Sequence, residues 1–90
     1  MSDAAALVPE PGLSDREVAM LAFEAGWPST PSGREQEVRE RFGVSLPRYQ
    51  QELNRLLDEP AALAHDPLVV KRLRRLRAQR RLARSAERLR

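Results

Sequence analysis

Nine arginines and one lysine crowd into the last twenty residues, KRLRRLRAQRRLARSAERLR, against Glu87 alone. Guanidinium groups at this density bind polyanions, because each neutralised phosphate releases condensed counterions. Arginine also grips phosphate in a two-pronged geometry that lysine cannot copy. Lys71, Arg74, Arg75, Arg77, Arg81 and Arg84 are the candidate phosphate contacts. Residues 1–70 hold six Arg and twelve Asp or Glu, a balance of −6, whereas residues 71–90 carry +9. The formal net charge of +3 hides that asymmetry, which points to a basic arm that meets an anionic partner. Two ordinary uses compete: a solvated helix end, or an arm folded back on its own acidic body. A GC-rich genome explains Arg over Lys, but not the clustering. The segment has no aromatic residue, which disfavours base stacking and single-strand RNA recognition.

A second set of candidates lies in VSLPRYQQELNRLL. On a helix, Arg48, Gln51, Asn54 and Arg55 point outward, with Gln50 on the flank. Gln and Asn pair two-pronged with adenine and Arg with guanine, and Ser45 with its neighbouring N–H groups suits a phosphate at a helix N-terminus. Glu52, Asp58 and Glu59 oppose that use by leaving the helix net negative. The competing reading is an ordinary solvated face.

Catalysis finds little support. The chain has no cysteine and one histidine, His65, just before a helix start, where a structural or solvated role is expected. There is no glycine-rich phosphate loop and no His/Asp/Glu set with metal spacing, so no cofactor is expected. The absence of cysteine excludes disulfides and fits a reducing compartment. No apolar run approaches the roughly 20 residues of a membrane span, and the N-terminus lacks the pattern of a signal peptide. A cytoplasmic protein without membrane contact is expected.

Helices must position these residues. Residues 1–12, MSDAAALVPEPG, read as a disordered leader. Ser14 and Glu17 form a capping box with Leu13 and Val18 at staple positions. Val18, Leu21, Ala22 and Ala25 make one apolar face. Met20, Phe23 and Trp27 make a second, which serves either a homodimer or packing on the last helix; Gly26 and Pro28 end the element. Ser32 and Glu35 repeat the capping box ahead of Val38 and Phe42. Gly43 stops that helix, Ser45 caps the next, and Tyr49, Leu53, Leu56 and Leu57 form its buried stripe. Pro60 ends it, a short turn carries Leu63, and Asp66-Pro67 opens a long last helix. There Val69, Leu73, Leu76 and Ala83 are expected on one side, and Arg74, Arg77, Arg81, Arg84 and Arg88 on the far side. Strand signals are weak.

The spacing predicts an all-α fold: a helical domain over 13–76 with a helix-turn-helix at 33–57, and a basic helical extension over 77–90. Val38, Phe42, Val44, Tyr49 and Leu53 fall where such a unit needs apolar contacts, and Gly43 where it often needs a positive φ. Arg39 argues against it, standing where a small residue usually permits close helix approach.

The residues Leu13-Ser14-Asp15-Arg16, Trp27, Arg48-Tyr49, Leu53-Asn54, Asp66-Pro67 and Lys71-Arg72-Leu73-Arg74-Arg75-Leu76-Arg77 carry a family resemblance. Over about residues 13–84 the chain resembles a family of short actinobacterial proteins catalogued as a domain of unknown function. Members often carry a second aromatic beside Trp27 and another beside Tyr49, where this chain has Pro28 and Gln50. The resemblance implies an actinobacterial cytoplasmic protein and supplies no catalytic residues.

The expected function is double-stranded DNA binding, as a small transcriptional regulator or nucleoid-associated protein. The arm supplies affinity and the third helix any sequence preference. One alternative is docking on a sigma factor or RNA polymerase through Leu73 and Leu76. Another is binding structured RNA or the ribosome.

Overall fold

The computed structural model describes residues 12–26 and 32–88. Apart from Gly12, the leader lies outside them, as do Trp27 and Pro28. All elements among the described residues are helices: α1 (Asp15–Gly26), α2 (Arg34–Phe42), α3 (Leu46–Leu57), α4 (Pro60–His65) and α5 (Pro67–Arg88). The fold is all-α.

Local chemistry sets most helix starts. At α1 the capping box closes both ways: Ser14 N–H donates to Glu17 Oε1 at 2.8 Å and Glu17 N–H to Ser14 Oγ at 3.1 Å. Ser45 Oγ accepts from Arg48 N–H at 3.3 Å at the start of α3, where Pro47 fits the first turn. Asp66 Oδ1 accepts from Val69 N–H at 3.2 Å and starts α5. At α2 the expected box of Ser32 and Glu35 does not form. Gly33 caps this helix with φ +78° and no side-chain bond. The helix therefore starts one residue late, Glu35 misses the third position a box requires, and it pairs with Arg39 instead at 3.3 Å.

Gly43 ends α2 with φ +69° and returns its N–H to Arg39 O at 2.9 Å. Only Val44 and Ser45 separate it from α3. The Arg39 side chain is turned to solvent, so it does not stand between the two helices.

The core joins Met20, Leu21 and Phe23 of α1, Val38 and Phe42 of α2, the α3 stripe of Tyr49, Leu53, Leu56 and Leu57, then Ala62, Val69 and Val70. Phe23, Phe42 and Tyr49 form an aromatic cluster: Phe23 meets the other two edge-on at 5.7 and 6.0 Å between ring centres. One expectation for α1 is overturned: Ala22 and Ala25 are exposed. Of the two uses expected for Met20 and Phe23, a homodimer or packing within the chain, the structure shows the second, with both buried in the core. The large side chains, not the small ones, turn inward, because burying more apolar area releases more free energy.

Helix α5 lies across α1, α3 and α4. Its burial fades in three steps: Val69 and Val70 are buried, Leu73, Leu76 and Arg77 half-buried, and Ala78 to Arg88 exposed on every side. The second half of α5 is a helix clear of the body.

Candidate nucleic-acid interface

Three arginines of α5 are held internally. Arg72 NH2 donates to Glu24 O, in the last turn of α1, at 2.9 Å. Arg74 Nε donates to Leu57 O at 2.6 Å, and Arg77 NH1 to Asn54 O at 3.2 Å. Arg77 NH2 also reaches Asp58 Oδ1 at 2.8 Å. Carbonyls in the last turn of a helix lack intrahelical partners and sit at the negative end of its dipole, so cations settle there. This corrects the expectation that Arg74 and Arg77 face away from the body: both are half-buried and cap the end of α3. Leu73 and Leu76, the expected protein-docking anchors, are likewise half-buried. Asp58 lies within the field of Arg74, Arg77 and Arg81; the hydrogen bond from Arg77 holds its carboxyl below the usual range.

The other cations of α5 behave differently. Among the described residues, Lys71, Arg75, Arg80, Arg81, Arg84 and Arg88 make no hydrogen bond or ion pair and are exposed. At 3.6 residues per turn, Arg80, Arg81, Arg84 and Arg88 share one face. That face continues the one that packs Val70, Leu73 and Arg77 on the body. Lys71 and Arg75 point to the opposite side.

Among the described residues no body carboxylate forms an ion pair with these six cations. Five of the six ion pairs among the described residues stay within the body: Arg16–Glu52, Arg34–Glu24, Arg39–Glu35, Arg41–Glu37 and Arg48–Glu52. Its own arginines pair Glu24, Glu35, Glu37 and Glu52, and Arg77–Asp58 is the one ion pair among the described residues that reaches α5.

On α3, Ser45, Arg48, Gln51, Asn54 and Arg55 are all exposed. Arg48, Gln51 and Arg55 form one outward row, while Asn54 lies toward α5. Glu52 is drawn aside by Arg16, which binds both its oxygens, Nε to Oε1 at 3.0 Å and NH2 to Oε2 at 3.2 Å. The same guanidinium caps α2 at Phe42 O, 2.9 Å. Chiefly through the Arg16 hydrogen bond, the Glu52 carboxyl is held below its ordinary range. The segment is net negative only when Asp58 and Glu59 are counted with it; α3 itself carries Arg48 and Arg55 against Glu52, and Glu52 is paired with Arg16 and, more loosely, with Arg48 at 3.8 Å. A cleft of about 250 Å³ lies between α1 and α3, lined by Arg16, Arg48 and Arg55, by Glu17, Glu52 and Glu59, and by Met20 and Leu56, so its charges balance.

A buried polar cluster escaped the sequence reading. Glu24, 5 % exposed, takes a hydrogen bond from Tyr49 Oη at 2.6 Å and one from Arg34 NH2 at 2.7 Å, both on Oε2. Arg34 also covers the rings of Phe23 and Tyr49 at 5.5 and 5.6 Å. The signal was present: Glu24 falls at helical spacing from Met20 and one residue from Phe23, so a carboxylate on that apolar face calls for a buried partner. Among the described residues no group of three His, Cys, Asp or Glu could hold a metal ion, and no helix is long and apolar enough to cross a membrane.

No curated protein and no solved structure matches the chain at a significant level. With a family profile matching residues 12–85, the chain belongs to the proteins of unknown function grouped as DUF3263.

Proposed function

We propose that this protein is a DNA-binding module rather than an enzyme, acting as a small transcriptional regulator or nucleoid-associated protein. One observation carries the reading: four unpaired guanidiniums, Arg80, Arg81, Arg84 and Arg88, share a face of an exposed helix that stands clear of the body. The ligand is the phosphate backbone of double-stranded DNA. A helix with its cations on one side tracks phosphates without reading bases. Sequence preference, where present, comes from α3, joined to α2 by a glycine turn as in a helix-turn-helix. Its row of Arg48, Gln51 and Arg55 faces outward, with Asn54 on the α5 side and Ser45 capping the N-terminus. Such a ligand places the protein in the cytoplasm, in keeping with the actinobacterial family it resembles.

The internal bonds of Arg72, Arg74 and Arg77 lower the number of available contacts to about four on the arm face, which sets a salt slope of about −3.6. A fluorescein-labelled random duplex of 20 base pairs, titrated with the full chain at several salt concentrations, tests this. Affinity should fall by roughly 10² between 50 and 200 mM salt. Replacing Arg80, Arg81, Arg84 and Arg88 with Ala should remove both the affinity and the slope. A duplex bound with unchanged slope by that variant overturns the reading.

A further inference from the structure

Two large hydrophobic residues stand out as exposed among the described residues, Leu68 at 82 % and Leu82 at 71 %. Both belong to α5, 14 residues apart, which is two heptads. At 3.6 residues per turn they lie within about 40° of one another, with Lys71, Arg75 and Ala78 between them on the same face. Neither cation has an internal partner. This face is opposite the row of Arg80, Arg81, Arg84 and Arg88, so a polyanion on that row leaves it open.

We infer that this outward face of α5 docks an acidic amphipathic helix of a partner protein. The leucines are about 21 Å apart along the axis, so the partner helix spans about four turns. Its apolar residues are spaced along one seam to meet Leu68, Ala78 and Leu82, as in helix-on-helix recognition. Lys71 and Arg75 lie on the same seam between the leucines, so the partner carries Asp or Glu at the positions that face them. A second copy of this chain fits poorly, because two such faces bring Lys71 and Arg75 of both copies together. Duplex DNA fits poorly too, because phosphates gain nothing from Leu68 and Leu82. The surface is narrow, so the complex is of the transient kind.

The probe is a fluorescein-labelled 21-residue helical peptide with Leu at the seam positions that face Leu68, Ala78 and Leu82 and Glu at those that face Lys71 and Arg75. Titration with the full chain should give a saturable rise in anisotropy. The double substitution Leu68→Gln and Leu82→Gln should weaken binding at least tenfold. Both side chains are in solvent, so circular dichroism should stay unchanged. Arg84→Ala with Arg88→Ala should leave peptide affinity within twofold, and a peptide of the same composition with scattered leucines should bind at least tenfold more weakly. Absence of saturable binding, equal binding of the scattered peptide, or indifference to the two leucine substitutions overturns the proposal. So does a 20-base-pair duplex that loses affinity on those same substitutions, since that would give the face to nucleic acid. Failure of the duplex to bind at all would remove the DNA reading and leave this surface untouched.

Discussion

The hydroxyl of Tyr49 donates to the carboxylate of Glu24 at 2.6 Å inside the aromatic cluster that joins α1 to α3. The bond links residues 25 apart, and Arg34 completes the site from α2. Three helices therefore share one buried charge pair. A buried carboxylate left without partners costs more than the pair contributes, so the site tolerates little change. Tyr49→Phe should lower stability by about 1–2 kcal/mol, and Glu24→Ala, which strands both partners, by about 3–5 kcal/mol. Urea denaturation of the two variants checks the order; equal losses would contradict it.

The same tyrosine sets an alkaline limit. Burial first, then the hydrogen bond to Glu24, pushes its hydroxyl well above the ordinary value near 10. The folded state thus keeps the proton after the unfolded chain has lost it. Stability contributed in this way is complete below pH 10 and declines above it, by up to about 1.4 kcal/mol per pH unit. Tyr49→Phe should flatten that decline in urea midpoints measured from pH 9 to 11.5.

Gly43 offers a test of backbone conformation alone. Its φ is +69°, and a Cβ added there would meet nothing within 4 Å. Gly43→Ala should therefore cost about 1 kcal/mol through the left-handed conformation and not through a clash. A loss several times larger in urea denaturation would mean that the α2–α3 turn rearranges.

Arg77 divides the body from the arm. It is the last residue of α5 with bonds to α3. Ending the chain after Ala78 should leave the thermal midpoint nearly unchanged and abolish duplex binding. Ending it after Leu76 should lower the midpoint as well, because the carbonyl of Asn54 and the carboxylate of Asp58 lose their cation. Equal midpoints for the two truncations would show that Arg77 is not part of the body.

Arg16 fastens α1 to both helices of the glycine turn. Arg16→Met should cost about 1–2 kcal/mol for the charged hydrogen bonds lost, with the exposed part of the pair discounted for solvent screening. It should also raise the titration midpoint of Glu52, followed by NMR of its side-chain carboxyl. Since that carboxyl is depressed in the fold, the stability it lends is present at neutral pH and lost on acidification through its lowered value.

The sequence by itself determined the helices and most of their ends, because these are local matters. Ser14 with Glu17, Ser45 and Asp66 cap the starts they were read to cap, Gly43 stops α2, and the α3 stripe of Tyr49, Leu53, Leu56 and Leu57 is buried as its spacing implies. A cap is a bond between residues three apart, and a stripe is a period of 3.6, so each is legible in a short window. Which way a charged side chain turns is not local. Arg74 and Arg77 looked like free cations, yet carbonyls of α3 and the carboxylate of Asp58 just after it, about twenty residues away, hold them. Glu52 looked like a repulsive charge on α3, yet Arg16, 36 residues earlier, answers it. Met20 and Phe23 suited either a second copy or the chain's own core, and the other helices close over them. Only the tertiary arrangement decided which charges remain free, because an ion pair depends on distance in space and the chain brings its own counter-ions from elsewhere.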